Sequence, residues 1–300
     1  PLVNWGLGQG WLRGLLQTVL GVHRDRQVLH YQRETFVRWW ARRSAGRKVG
    51  TGKKAALLAG CLVNYQATDV GKATVQVLEK NGVEVALPDQ SCCGMPSFDI
   101  GDTAAMVAAA ERTIASLKSW VDQGYDVVIP TPSCSLMVKR EYVSLVAGDE
   151  AKRVAEHTYD ISEYLMKMKR EGGLAMDFTQ KPGRVAYQVP CHLRDQNIGF
   201  KSKELMECAG AKVEVIEKCS GHDGSWSAKV EFFPLSMKIA QKAVRMVEQA
   251  PADLVASDCP LAGLQLDQAG AVAHAGGKSS QHPIQIVRDA YGLPRDPRAS

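Results

Sequence analysis

The cysteines of this 300-residue chain fall in a repeated register, and the repeat restricts the folds open to it. Cys61, Cys92 and Cys134 each follow a short apolar run. Cys191, Cys219 and Cys259 do the same, at offsets of 130, 127 and 125 residues. Around them, apolar runs of strand length alternate with longer helix-like segments. Strands are expected at 55–62, 83–87 and 126–129, and again at 184–189, 212–216 and 253–256. Helices are expected at 69–81, 104–123 and 157–172, and again at 203–208, 234–249 and 284–291. Such alternation favours a parallel sheet with helices on both faces. Ligands in such sheets bind beyond the carboxyl ends of the strands. The expected fold is therefore α/β, with two pseudo-symmetric Rossmann-like parallel-sheet units that carry cysteines at their C-terminal strand ends.

Cys92 and Cys93 are adjacent and followed by Gly94. Side chains of neighbouring residues in an extended chain point to opposite faces. A glycine at positive φ can turn the backbone so that both sulfurs face one site. Two thiolates so close are hard to fit on one tetrahedral ion, and suit different irons of a cluster better. Cys61, Cys92, Cys93 and Cys134 form the first candidate ligand set. Cys191, Cys219 and Cys259 form the second, with Ser220 where the first has Cys93. His192 or His222 can complete a three-cysteine site for a cluster or zinc, although a lone histidine is more often a hydrogen-bonding neighbour. Asp258 reads as a turn or supporting residue beside Cys259. Arg194, Lys218 and Lys229 bring positive charge close to the second set, or form a solvated face. Cys208, on a helix with Leu205 and Met206, reads as a core residue.

The spacing of the eight cysteines is unlike a small secreted disulfide framework, and no secretory signal is visible. Clustered cysteines in such a chain point to metal in a reducing cytoplasm. Net charge is +5, but residues 1–54 hold eleven Lys/Arg and two acids, leaving −4 on the rest. The body gives no reason to expect nucleic acid. The basic arm, residues 1–54, contains helix-like stretches at 11–22 and 32–43 and a Gly/Lys/Arg-rich linker at 44–54. Phe36, Trp39 and Trp40 lie among Arg33, Arg38, Arg42 and Arg43. Two readings stand: an arm that meets a membrane surface or partner through residues 1–43, or one packed on its own chain. The two cysteine-bearing units are expected at 55–175 and 176–300. No G-x-G-x-x-G fingerprint follows a strand, so no dinucleotide site is expected.

From about residue 55 onward the chain resembles the cysteine-rich "CCG" domain family of iron–sulfur oxidoreductase subunits. The resemblance rests on Cys61, Cys92-Cys93-Gly94 and Cys134, on their second-half counterparts, and on Pro190-Cys191-His192 and His282-Pro283-Ile284. The family pattern ends each unit with Cys-x-x-Cys. Here Met137 and Ala262 stand at the last positions. With four and three cysteines, one cluster per unit, or one shared at the interface, fits better than a pair of five-cysteine double clusters. The resemblance implies an iron–sulfur electron-transfer subunit with one or two clusters of 4Fe-4S type, zinc being an alternative at the second site. It implies a flavoprotein dehydrogenase partner, a quinone or other acceptor, an upstream ferredoxin-like domain, and a place in the cytoplasm or on the inner face of the membrane. Two alternatives remain: a disulfide or thiol reductase acting at an open cluster, and a zinc-stabilised scaffold without redox chemistry.

Overall fold

The computed structural model describes residues 2–44 and 52–296. Most of the linker expected at 44–54 lies outside them. The first unit is a four-stranded sheet in the order β2-β1-β3-β4, from strands β1 (Lys54–Leu57), β2 (Glu84–Ala86), β3 (Asp126–Ile129) and β4 (Thr158–Asp160). The second is a three-stranded sheet in the order β6-β5-β7, from β5 (Arg184–Gln188), β6 (Lys212–Ile216) and β7 (Leu254–Ser257). Every pairing is parallel. The central strands are apolar and wholly buried, as at Ala55, Ala56, Leu57, Val127, Val128 and Ile129, because helices cover both sheet faces.

Two expectations need correction. The strand expected at 55–62 ends at Leu57. Gly60, at φ +69°, turns the chain into the helix Gly60–Tyr65, so Cys61 sits in a helical first turn. The segment expected as one helix at 157–172 begins with β4, and the helix is Ile161–Arg170. The reason is local: the Asp160 carboxylate accepts from the Ser162 N–H, while the Glu163 side chain accepts from the Asp160 N–H. This capping box holds residue 160 extended and starts the helix after it.

The second unit repeats that device at its last helix, Pro283–Ala290. There His282 accepts from the Ile284 N–H at 3.1 Å, and the Gln285 side chain accepts from the His282 N–H at 2.8 Å. Gln281 bridges to Ala256 of β7 where the first unit has β4 beside β3. The two closing helices then pack reciprocally. Ile161–Arg170 lies against Lys201–Cys208 of the second unit, and Pro283–Ala290 lies against Thr68–Lys80 of the first. Val70, Ala73, Val77, Ile161, Leu165, Leu205, Ile284 and Val287 belong to one buried cluster. At its edge the buried Arg288 guanidinium pairs with Asp69 at 2.6 Å.

The basic arm packs on its own chain over much of its length. After the helices Leu2–Leu7 and Gly10–Leu20, Val22 pairs with Lys229 and the His23 ring stacks on Phe233. The second expected arm helix starts at Phe36, where the Thr35 hydroxyl accepts from the Arg38 N–H. Phe36 and Trp39 are buried against the first unit, and a Cβ at Gly71 would lie 2.7 Å from the Phe36 ring. The helix Gly10–Leu20 buries no residue and leaves Trp11, Leu15, Val19 and Leu20 exposed.

His282 also reaches the first unit: its Nε2–H donates to the Pro130 carbonyl at 2.9 Å. With Nδ1 accepting from Ile284, the ring must be neutral, and burial lowers its pKa to about 4. In the unfolded chain it takes a proton near pH ~6.5, so its contribution to stability is lost as pH falls from there towards 4. We expect His282→Gln to cost about 1–3 kcal/mol at pH 7. We also expect it to reduce the drop in melting temperature between pH 7 and pH 4.5, measured by circular dichroism against the wild type.

Candidate cysteine-rich metal centre

Three loops bring the first-unit thiols together. Cys61 lies in the turn after β1, Cys92 and Cys93 follow β2, and Cys134 lies in the helix Pro132–Leu136 after β3. Gly94, at φ +85°, turns the chain after the cysteine pair, and a Cβ there would meet the Ala109 Cβ at 3.1 Å. The Gln90 side chain, which sequence reasoning missed, ties two of these loops together. Its Oε1 accepts from the Ala59 and Gly60 N–H groups, and its Nε2 donates to the Leu57 and Pro88 carbonyls.

The four sulfurs form one connected group. Cys61 and Cys92 Sγ are 3.9 Å apart. The Cys93 thiol neighbours both the Cys92 and the Cys134 sulfurs. The Cys134 Sγ lies 3.1 Å from where a Cβ on Gly60 would be. Cys61 is exposed and Cys92 half-buried, while Cys93 and Cys134 are buried. Raised and lowered thiols alternate from Cys61 through Cys92 and Cys93 to Cys134. Cys92 is held far below the usual thiol range by hydrogen bonds from Cys61 and Cys93, with help from Arg112. Cys134 is lowered chiefly by the neighbouring Cys93 thiol. Cys61 and Cys93 are raised because each donates to a neighbouring sulfur and is partly or wholly desolvated. Tyr142 donates to the Cys93 carbonyl at 2.7 Å and fixes the backbone between the pair and the buried end.

The second unit is built on the same strand ends but converges less. Cys219 is exposed and accepts from the Gly221 N–H at 3.3 Å; the neighbouring Cys191 thiol and that N–H lower it to about 6. Cys191 is raised correspondingly. Cys259 caps the helix Pro260–Gln268, is raised by burial, and lies within electrostatic reach of Cys134 of the first unit. Ser220 is buried and its hydroxyl accepts from the His222 N–H. Met137, at the last family position of the first unit, is fully buried in the core.

The histidines have defined partners. His192 Nδ1 is 2.8 Å from the Ser133 hydroxyl, and His222 Nδ1 is 3.1 Å from the Arg26 guanidinium. Asp258 accepts from the Tyr187 hydroxyl at 2.5 Å and from Ser202, a buried supporting role. Arg194 lowers the Cys191 thiol, while Lys229 contributes its backbone to the bridge with the arm. Cys208 stands apart, half-buried at the core's edge, and accepts from Lys169 Nζ at 3.0 Å. The segment carrying Cys134 is held from the other unit by His192, by His282 and by Gln196, whose Nε2 donates to the Pro132 carbonyl and the Ser135 hydroxyl.

Among the described residues no three His, Cys, Asp or Glu side chains gather as one metal ion would require. An all-sulfur donor set that no single ion could gather suits a soft, multinuclear group, in which adjacent cysteines serve different irons.

Two parallel sheets, each with cysteines at the carboxyl ends of its strands, define a duplicated cysteine-rich domain protein. The chain belongs to the cysteine-rich domain family, whose pattern matches residues 55–139 and again 185–267. It is 27% identical over 294 residues to the C subunit of the anaerobic glycerol-3-phosphate dehydrogenase of Escherichia coli (strain K12), covering 97% of this chain and 72% of that protein. It is 31% identical over 253 residues to lactate utilization protein A of Geobacillus thermodenitrificans (strain NG80-2), covering 80% of this chain and 98% of that protein.

The lowered, half-buried Cys92 and the raised, buried Cys93 set an order of reactivity. In metal-free reduced protein at pH 7, iodoacetamide is expected to alkylate Cys92 roughly tenfold faster than Cys93. Peptide mass spectrometry over time measures this; equal rates at the two positions would contradict the hydrogen-bond order.

Proposed function

We propose that this chain is an iron–sulfur electron-transfer subunit of a redox complex. Cys61, Cys92, Cys93 and Cys134 would hold a cluster of 4Fe-4S type. Cys191, Cys219 and Cys259 would hold a second centre, iron–sulfur or zinc. The observation that carries this reading is the connected group of four first-unit sulfurs, exposed at Cys61 and buried at Cys93 and Cys134. An iron–sulfur group supplies reversible one-electron storage when bound. The chain supplies the thiolates, holds their loops through Gln90, Tyr142 and the Pro130–Ser135 clasp, and dries the inner end of the site.

One relative is named as a component of a dehydrogenase. We take a flavoprotein dehydrogenase as the electron donor here, and a quinone or another carrier as the acceptor. The reading divides the chain into an arm and linker (1–54), a first unit (55–175) and a second (176–300). The exposed face of the helix Gly10–Leu20 supports membrane-surface contact on the cytoplasmic side. Among the described residues no helix is long and apolar enough to cross a membrane. The exposure of Cys61, Cys191 and Cys219 supports one other reading, a disulfide or thiol reductase.

Iron, acid-labile sulfide and zinc per chain, with an EPR spectrum, test the proposal on protein purified without oxygen. About four iron and four sulfide indicate one cluster, and about eight indicate both units loaded. Zinc without sulfide would remove the redox reading and leave a scaffold. Cys93→Ala is expected to lose first-unit iron and sulfide, while Cys208→Ala keeps the full content.

A further inference from the structure

Two histidines near the second-unit cysteines, His192 and His222, differ in what their partners permit. His192 faces the Ser133 hydroxyl, which can donate or accept, so either ring nitrogen of His192 is free to carry the proton. His222 faces Arg26, whose guanidinium has only donors and stays charged. At 3.1 Å, Nδ1 of His222 must therefore be the acceptor. The one proton of the neutral ring then sits on Nε2. A histidine that binds a metal through Nε2 needs the opposite arrangement, with the proton on Nδ1. Binding through Nδ1 is blocked by the guanidinium itself.

Arg26 is held in place for this task. It comes from the N-terminal arm, yet it is 4% exposed. Its Nη1 donates to the Gln265 Oε1. The Gln265 Nε2 in turn donates to the Ser236 hydroxyl at 3.1 Å, and that hydroxyl donates to the Gly221 carbonyl at 2.7 Å. Gly221 is itself confined: a Cβ there would lie 2.2 Å from the Ser236 carbonyl oxygen. One network thus runs from the arm to the turn whose N–H bonds the Cys219 sulfur.

We propose that Arg26 is a positioning residue of the second-unit centre, locking His222 as an Nε2–H donor and so excluding it from the ligand set. The protein ligands of that centre are then thiolates, with His192 the one neighbouring imidazole able to join them. The arm is a working part of the centre, because the lock comes from residue 26. The metal-binding half of this inference rests on the function proposed above; the tautomer does not.

The test is a two-bond proton–nitrogen correlation spectrum of the histidine rings, recorded on 15N-labelled full chain, metal-free and after anaerobic reconstitution with iron and sulfide. His222→Gln assigns the signal. If that variant does not fold, the shift caused by Arg26→Lys assigns it. The expected result is a bare Nδ1 and a protonated Nε2 in both states, with iron and sulfide content within about 10% of wild type in His222→Gln. Arg26→Met should release the lock and give mixed tautomers at His222, and Arg26→Lys should restore the single tautomer. A protonated Nδ1 with a metal-bound Nε2 after reconstitution would overturn the proposal. So would loss of one centre's metal in a folded His222→Gln. If the chain takes up no iron, sulfide or zinc at all, the proposed function fails, while the metal-free spectrum still decides the tautomer.

Discussion

The packing of each unit's closing helix onto the other unit is the interaction on which the rest of this structure depends. Ile161–Arg170 lies on Lys201–Cys208, and Pro283–Ala290 lies on Thr68–Lys80. Neither sheet could dry its helices alone, because the shared cluster draws Val70 and Val77 from one unit and Ile284 and Val287 from the other. A self-complementary contact of this kind is what a two-fold dimer would make. Here both halves belong to one chain, and each closing helix starts from a capping box at the equivalent place.

That arrangement turns the carboxyl ends of the two sheets towards each other and lets one unit furnish support for the other's cysteines. His192, Gln196 and His282 all reach the segment around Cys134. Cys259 comes within electrostatic reach of Cys134. The thiol group of the first unit needs such support. Two of its sulfurs are buried, and buried thiolates carry a desolvation cost that hydrogen bonds and fixed backbone must offset.

Much of this is legible in the sequence because cysteine placement and strand periodicity are local signals. The strands at 126–129 and 212–216 are found as expected, and Gly94 takes the positive φ that the Cys-Cys-Gly turn suggests. What is not legible depends on distant partners. β4 is three residues long and reads as the start of a helix until the Asp160 cap and its pairing with β3 are seen. Gln90 looks like any loop glutamine; its four bonds to backbone exist only after two loops meet. Arg26 looks like one more charge on a basic arm, yet it is buried against the second unit. The capping boxes are the missed signal that is local: Asp160 with Glu163, and His282 with Gln285, each at the required spacing of three.

The reciprocal helix exchange also fixes a timetable for synthesis. The helix Thr68–Lys80 leaves the ribosome well before the helix that covers it, Pro283–Ala290, is made. At about 5–20 residues per second, roughly 10–40 s separate the two. Throughout that interval the first unit carries an uncovered apolar face and a thiol site without its His282 clasp. The nascent chain must therefore be shielded from aggregation and from oxidation before its cysteines reach their final geometry.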